Sequence, residues 1–189
     1  MVVGLGNPGE RFGATRHNVG ADAARHYAAR HCAGGEFAPD RRISSVSCRL
    51  DVAGRRVVVS CPTTFMNESG AAVRALVKRN GIADPGALVV LHDELDLEPG
   101  RVMVKLGGGT AGHNGLESVR AHLRTLDFVR VRIGVGKPPS AAEGANWVLR
   151  RPGRAERELT DDAVARAGAA LDAIAADGVE AAMNVANAR

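Results

Sequence analysis

Apolar residues recur along this chain at two spacings, about every second residue and about every 3.6, and the alternation of the two sets out strands and helices in turn. Met1 to Leu5 reads as a short buried strand, followed by the turn Gly6-Asn7-Pro8-Gly9. A loop to Arg16 leads into a helix predicted from about Asn18 to His31, with Ala23, Ala24 and Tyr27 on one face. Val46 to Val52 and Arg56 to Ser60 flank Ala53-Gly54-Arg55 and read as a hairpin. Pro62 to Asn67 is a loop. From Glu68 to Arg79, Ala72, Val73, Leu76 and Val77 repeat at helical spacing, and Gly81 supplies a left-handed stop.

Leu88 to Leu91 has the continuous apolar character of a central strand and runs into His92-Asp93-Glu94. Val102 to Leu106 reads as a strand broken by Gly107-Gly108-Gly109, ahead of a helix near Asn114 to Arg124. In Val129 to Val135, Val129, Val131, Ile133 and Val135 alternate with Arg130 and Arg132, which predicts one buried face and one basic face. Lys137 to Gly144 is a Pro-containing loop, and Trp147-Val148-Leu149 a short packed element. Thr160-Asp161-Asp162 predicts the start of a last long helix, closed by Gly178. With no internal repeat and no long linker, the order predicts a single α/β domain over residues 1–189, a central mixed β-sheet flanked by α-helices, with a C-terminal helix from about residue 160.

Composition narrows the class. A chain of 189 residues can bury enough surface to need no staple. Its three cysteines, Cys32, Cys48 and Cys61, are odd in number and lack C-x-x-C spacing, against both a disulfide framework and a thiolate zinc site. Val2 to Leu5 is too short for a secretory h-region, and no run approaches about 18 apolar residues, so a cytoplasmic protein without a membrane span is expected. A net charge of +4 permits a polyanionic partner without demanding one.

Gly4-Leu5-Gly6-Asn7-Pro8-Gly9 has G-x-G-x-x-G spacing, but Pro8 lacks an amide donor, no helix opens at Gly9, and the next strand is not expected before about Val46. A structural turn that presents Asn7 fits better than a dinucleotide site. His17 stands just ahead of a helix, where its ring can project from the sheet's edge, and Asp93 follows an apolar strand, where open α/β sheets place chemistry. An imidazole that titrates near neutrality can take a proton from water while a carboxylate fixes its tautomer. Asn7, Asn67 and Asn114 add donors and acceptors without charge, suited to a peptide backbone and an oxyanion. No G-x-S-x-G elbow supplies a serine nucleophile. A zinc set of His17, Asp93 and His113 remains an alternative, although no H-E-x-x-H spacing backs it.

Six blocks carry a resemblance: Gly4-Leu5-Gly6-Asn7-Pro8-Gly9, Thr15-Arg16-His17-Asn18, Phe65-Met66-Asn67-Glu68-Ser69-Gly70, His92-Asp93-Glu94-Leu95-Asp96-Leu97, Gly107-Gly108-Gly109 with Gly112-His113-Asn114-Gly115-Leu116, and Arg130-Val131-Arg132-Ile133-Gly134-Val135-Gly136. In that order, over residues 2 to about 149, the chain resembles the bacterial peptidyl-tRNA hydrolase family. The resemblance implies a monomeric esterase that releases tRNA and peptide from peptidyl-tRNA without metal or cofactor. It implies His17 as the base that activates water and Asp93 as its orienting partner. Asn67 and Asn114 would bind the peptide, Asn7 would order the site, Met66 would line the peptide groove, and Phe12 and Phe65 would be among the substrate-binding residues. His113 would lie near the tRNA acceptor end, and Lys105 with Arg132 would clamp its terminal phosphate. Lys137, Arg150, Arg151, Arg154 and Arg157 either extend a basic track or are simply solvated charges. Phe12 stands where the family often has tyrosine, and Glu117 where it often has a base. Two rival readings are a non-catalytic RNA-binding relative and a nucleotide-dependent enzyme using the glycine turn.

Overall fold

The computed structural model describes residues 1–31 and 36–188, so Cys32 lies outside the described residues. Seven strands form one sheet: β1 (Val2–Gly4), β2 (Ala38–Asp40), β3 (Ser45–Val52), β4 (Arg55–Pro62), β5 (Val89–Glu94), β6 (Val102–Leu106) and β7 (Val129–Gly134), in the order β2-β3-β4-β1-β5-β7-β6. β4, β1, β5 and β7 run parallel, whereas β2 and β3 on one margin and β6 on the other pair antiparallel. The sheet is therefore mixed, with its parallel part at the centre.

Period-two alternation explains why both sheet faces are covered. Val2, Val89, Leu91, Val129, Val131 and Ile133 point into a core shared with α1 (Val19–His31) and α5 (Arg154–Asp177). Val3, Leu5, Val90 and Phe128 point the other way, into a core with α2 (Ser69–Arg79) and α3 (Asn114–Leu123). From β1 the chain first builds the β3–β4 side and then returns to lay β5 on the opposite side of β1. That reversal puts a crevice at the carboxyl ends of β1 and β5, where sheets of this kind hold ligands.

The glycines of the first turn serve this packing. A Cβ on Gly4 would strike the carbonyl oxygen of Gly20 and come within 2.6 Å of Ala24 Cβ, so α1 can sit against β1 only because both glycines are bare. A single 3₁₀ turn, Glu10–Phe12, follows Gly9, with no long helix to aim amides at a pyrophosphate. The structural-turn reading of G-x-G-x-x-G therefore fits the geometry.

Several boundaries differ from expectation. The last long helix begins at Arg154 rather than near Thr160: Gly153 stands at its N-cap, and Thr160 lies buried inside it, its hydroxyl donating to Glu156 O at 2.8 Å. Thr-Asp-Asp imitates a cap, but a threonine satisfied by the carbonyl one turn back can sit mid-helix. α6 (Val179–Ala186) follows Gly178, and the edge strand β2 precedes β3; neither is in the sequence reading, which places the second strand near Val46. β5 continues through His92, Asp93 and Glu94, since pairing with β7 runs on to Gly134. The Lys137 to Gly144 loop contains a 3₁₀ turn, Ala141–Glu143, and leads into α4 (Gly144–Val148).

Candidate active site

Three loops meet over the crevice, and amide side chains join them. The 3₁₀ turn Arg16–Asn18 at the head of α1 carries His17. Asn18 Oδ1 accepts the Asn7 N–H at 2.8 Å while its Nδ2 donates to Asn7 O at 2.9 Å, zipping the glycine turn to the histidine turn. Asn7 Oδ1 in turn accepts the Met66 N–H at 2.9 Å, tying in the loop before α2.

Asp93 follows Val89 and Leu91 on the face of β5 that carries α1, so the alternation aims it at the start of that helix. His17 Nδ1 lies 2.8 Å from Asp93 Oδ1 and 3.0 Å from Oδ2. His113 Nε2 reaches the same Oδ1 at 2.8 Å. One carboxylate thus holds two imidazoles. His17 is buried, 6% exposed, so the expectation of a ring projecting from the sheet's edge is corrected: α1 and the roof of the site enclose it.

The partners fix the tautomers. His113 stands at the N-cap of α3, where its Nδ1 accepts from Gly115 N at 3.0 Å and Leu116 N at 3.3 Å. Its proton must then be on Nε2, donated to Asp93. An ionised Asp93 also takes the Nδ1 proton of His17, leaving His17 Nε2 with a lone pair. Burial tends to raise the Asp93 pKa, but His113 and His17 overcome it and hold the carboxyl well below the usual carboxylate range. The same logic bears on zinc. His17, Asp93 and His113 offer ligand atoms within 4.8 Å of one another, yet His113 Nε2 can become a ligand only by moving its proton to Nδ1, against two amide donors. The donor set fits a hydrogen-bonded cluster better than an ion.

His92, on the opposite face of β5, donates from Nδ1 to Asp93 O at 2.7 Å and meets the His113 ring edge-on at 5.1 Å. Burial, then His113, pushes its pKa down to about 3, so it is a neutral spacer.

His17 separates two clefts. One, of about 360 Å³, has Asn7, Phe12, Phe65, Met66, Asn67 and Asn114 in its walls. Phe12 and Phe65 meet edge to face there at 6.3 Å, and Phe65 is half exposed. The other, of about 390 Å³, is lined by Asp93, Glu94 and Asp96 and by Thr110 to Asn114. Ala145 and Val148 of α4 roof both. The structure therefore gathers the expected residues other than Lys105 and Arg132 around one imidazole. An alanine-lined groove between α5, α6 and β6 is of similar size but holds no group suited to proton transfer.

Lys105 and Arg132 lie outward along β6 and β7, on the same sheet face. Arg132 Nε donates to Glu94 Oε2 at 2.9 Å, which leaves its two terminal nitrogens for another partner. The face of β7 opposite Val129, Val131 and Ile133 carries Arg130 and Arg132 as expected, but Arg130 is buried there: its guanidinium donates to Gly109 O at 2.6 Å and to Gly107 O, clasping the glycine loop. Burial, then Arg132, lowers its pKa. Along the expected basic track, Lys137 pairs with Asp96, Arg154 with Glu158 and Arg157 with Asp161. Glu117 accepts from the Thr110 hydroxyl and from Arg120, so the acidic departure pins the loop beside the cleft. Arg16, Asn18, Glu94 and Arg130 carry functional geometry that sequence reasoning did not single out. Arg16 and Asn18 stood in the Thr-Arg-His-Asn block, whose polar character just before a buried helix was the available signal.

A buried carboxylate at the end of a parallel strand, paired with an imidazole between an aromatic and an acidic cleft, is an arrangement suited to hydrolysis by activated water in an α/β fold. A family model described as peptidyl-tRNA hydrolase matches residues 1–189. A peptidyl-tRNA hydrolase of Cutibacterium acnes is 46% identical over 97% of this chain and 96% of its own length, and one of Mycobacterium sp. (strain KMS) is 44% identical over 100% and 96%. The crystal structure of peptidyl-tRNA hydrolase from Acinetobacter baumannii superposes with a TM-score of 0.93 at 37% identity, covering 99% of this chain and 93% of that one. The chain belongs to the peptidyl-tRNA hydrolase family.

Proposed function

We propose that the protein hydrolyses the ester between the peptide and the 3′ ribose of peptidyl-tRNA, with water activated at His17 Nε2. The observation that carries this reading is the double grip on Asp93, which leaves one lone pair of His17 unspent between two clefts. His17 Nε2 takes a proton from water as the oxygen attacks the ester carbonyl. The bond to the ribose oxygen then breaks, the imidazolium returns the proton to that oxygen, and free tRNA leaves with the peptide acid, which gives its remaining proton to solvent and becomes the carboxylate. Asp93 stays ionised and stabilises the imidazolium.

The cleft with Phe12, Phe65 and Met66 takes the peptide, whose main chain meets Asn67 and Asn114; Asn7, spent on Met66 N, orders the wall. The cleft beside Thr110 to Asn114 takes the terminal ribose, with His113 beneath it. Lys105 and the unspent donors of Arg132 hold a tRNA phosphate. No metal or cofactor enters these steps. Since one chain supplies every group, we read the acting form as a monomer, working in the cytoplasm where peptidyl-tRNA arises. No helix among the described residues is long and apolar enough to cross a membrane.

The test is to incubate chelator-treated protein with peptidyl-tRNA and follow free tRNA. The parent should release it and His17→Ala should lose turnover by about 10²-fold or more. Parental turnover in that variant would remove His17 from the chemistry; absence of release in the folded parent would remove the function.

A further inference from the structure

The residue beside the base is as deeply enclosed as the base itself. Arg16 is 6% exposed, and its donors are spread over two parts of the molecule. Nε donates to Glu156 Oε1 at 2.6 Å and Nη2 to Oε2 at 2.5 Å, a forked pair with the first turn of α5. Nη1 faces the carbonyl oxygens of Trp147, Arg150 and Arg151 at 3.4, 3.2 and 3.5 Å. The guanidinium carbon lies 4.0 Å from the centre of the Trp147 ring, and the Arg16 amide donates to Arg150 O at 3.2 Å. Trp147 in turn donates from Nε1 to Val135 O and Gly136 O at 3.2 and 3.1 Å.

From this geometry we infer that Arg16 is a positioning residue that fixes the roof of the site, residues 144–151, to the turn carrying His17. Ala145 and Val148 roof both clefts, so one side chain links the roof over the scissile bond to the turn that carries the base. A planar guanidinium can do this because it forks to a carboxylate while stacking on an indole; an ammonium offers a point charge and neither contact. The inference rests on the proposed activity for its kinetic arm only.

Trp147 is the sole tryptophan of the chain, so its fluorescence reports the roof directly. The experiment measures Trp147 emission, acrylamide quenching, and kcat and KM with peptidyl-tRNA, in the parent, Arg16→Lys and Glu156→Gln. In Arg16→Lys the emission should shift to the red, quenching should rise, and kcat/KM should fall by about tenfold or more. Glu156→Gln keeps an acceptor oxygen on the fork and should move all three in the same direction by less. If Arg16→Lys does not fold, Glu156→Gln decides alone. Unchanged emission and quenching in the folded variants overturns the tether, whatever the activity does. A loosened Trp147 with parental kcat/KM overturns the positioning role. A parent protein that shows the fluorescence behaviour but no hydrolysis indicts the proposed activity and not the tether.

Discussion

At the scale of single residues, Asp93 has one oxygen shared by two imidazole donors and a pKa held down by both. Asp93→Asn keeps the shape but turns an all-acceptor group into one that also donates, so His17 loses the tautomer that leaves Nε2 free. The expected loss is about 10²- to 10⁴-fold in kcat, with a changed pH–rate curve; a variant matching the parent in both would dissolve the pairing. His92 gives a stability prediction with a definite sign. Its pKa is about 3 in the folded chain against 6.5 as reference, so between those values the unfolded chain binds the extra proton. Stability must then rise with pH across that window. At pH 5 the penalty is about 2 kcal/mol relative to pH 7, and His92→Gln should lose that part of the pH dependence, read as urea midpoints at the two pH values. A variant with the parental dependence would show that His92 is not the buried neutral group. The residue types at the site were legible in sequence because His17, Asp93 and the asparagines stand where apolar periodicity stops. The sharing of Asp93 was not, because it needs the N-cap geometry of α3, and neither was the burial of Arg130, whose counter-groups are backbone carbonyls with no sequence signature.

Among the elements, the seating of α1 on β1 and β5 matters most, since it brings its leading histidine to the end of β5. Gly20 makes that seat: a Cβ there would strike Leu91 O and lie 2.8 Å from Leu91 C and 3.0 Å from Leu5 O, all main-chain atoms that cannot rotate away. Gly20→Ala must lift the head of α1 from β5, and overpacking of this kind costs about 1–3 kcal/mol or more. The lift also draws His17 from Asp93, so kcat should fall more than the population of unfolded protein explains. Thermal unfolding and kcat measured together check this, and a parental midpoint would mean that the helix is not seated as described. Strong periodicity made α1, α2, α3 and the central strands readable. The start of α5 was misplaced because Thr160 can satisfy its hydroxyl within a helix as well as at its cap, and β2 is a three-residue edge strand, too short to show alternation.

Over the whole molecule, a net charge of only +4 permits a polyanionic partner without selecting one, and most of the expected basic track is already paired. In the proposed reading, recognition of tRNA concentrates in a few cations aimed by the fold. Lys105 is exposed on β6, and Arg132, with Nε committed to Glu94, lies on the same sheet face of β7. Neither lines the cleft of Phe12, Phe65 and Met66, so in the proposed reading they act on the nucleic-acid part of the substrate. Lys105→Ala or Arg132→Ala should raise KM for full-length peptidyl-tRNA and reduce the slope of log KM against log salt by about one, the counter-ion share of one phosphate contact. A short N-acyl-aminoacyl ester, which lacks that phosphate, should be cleaved by both variants as by the parent. Equal losses on the two substrates would move these residues from binding the tRNA to supporting the glycine loop, where Arg130 already serves.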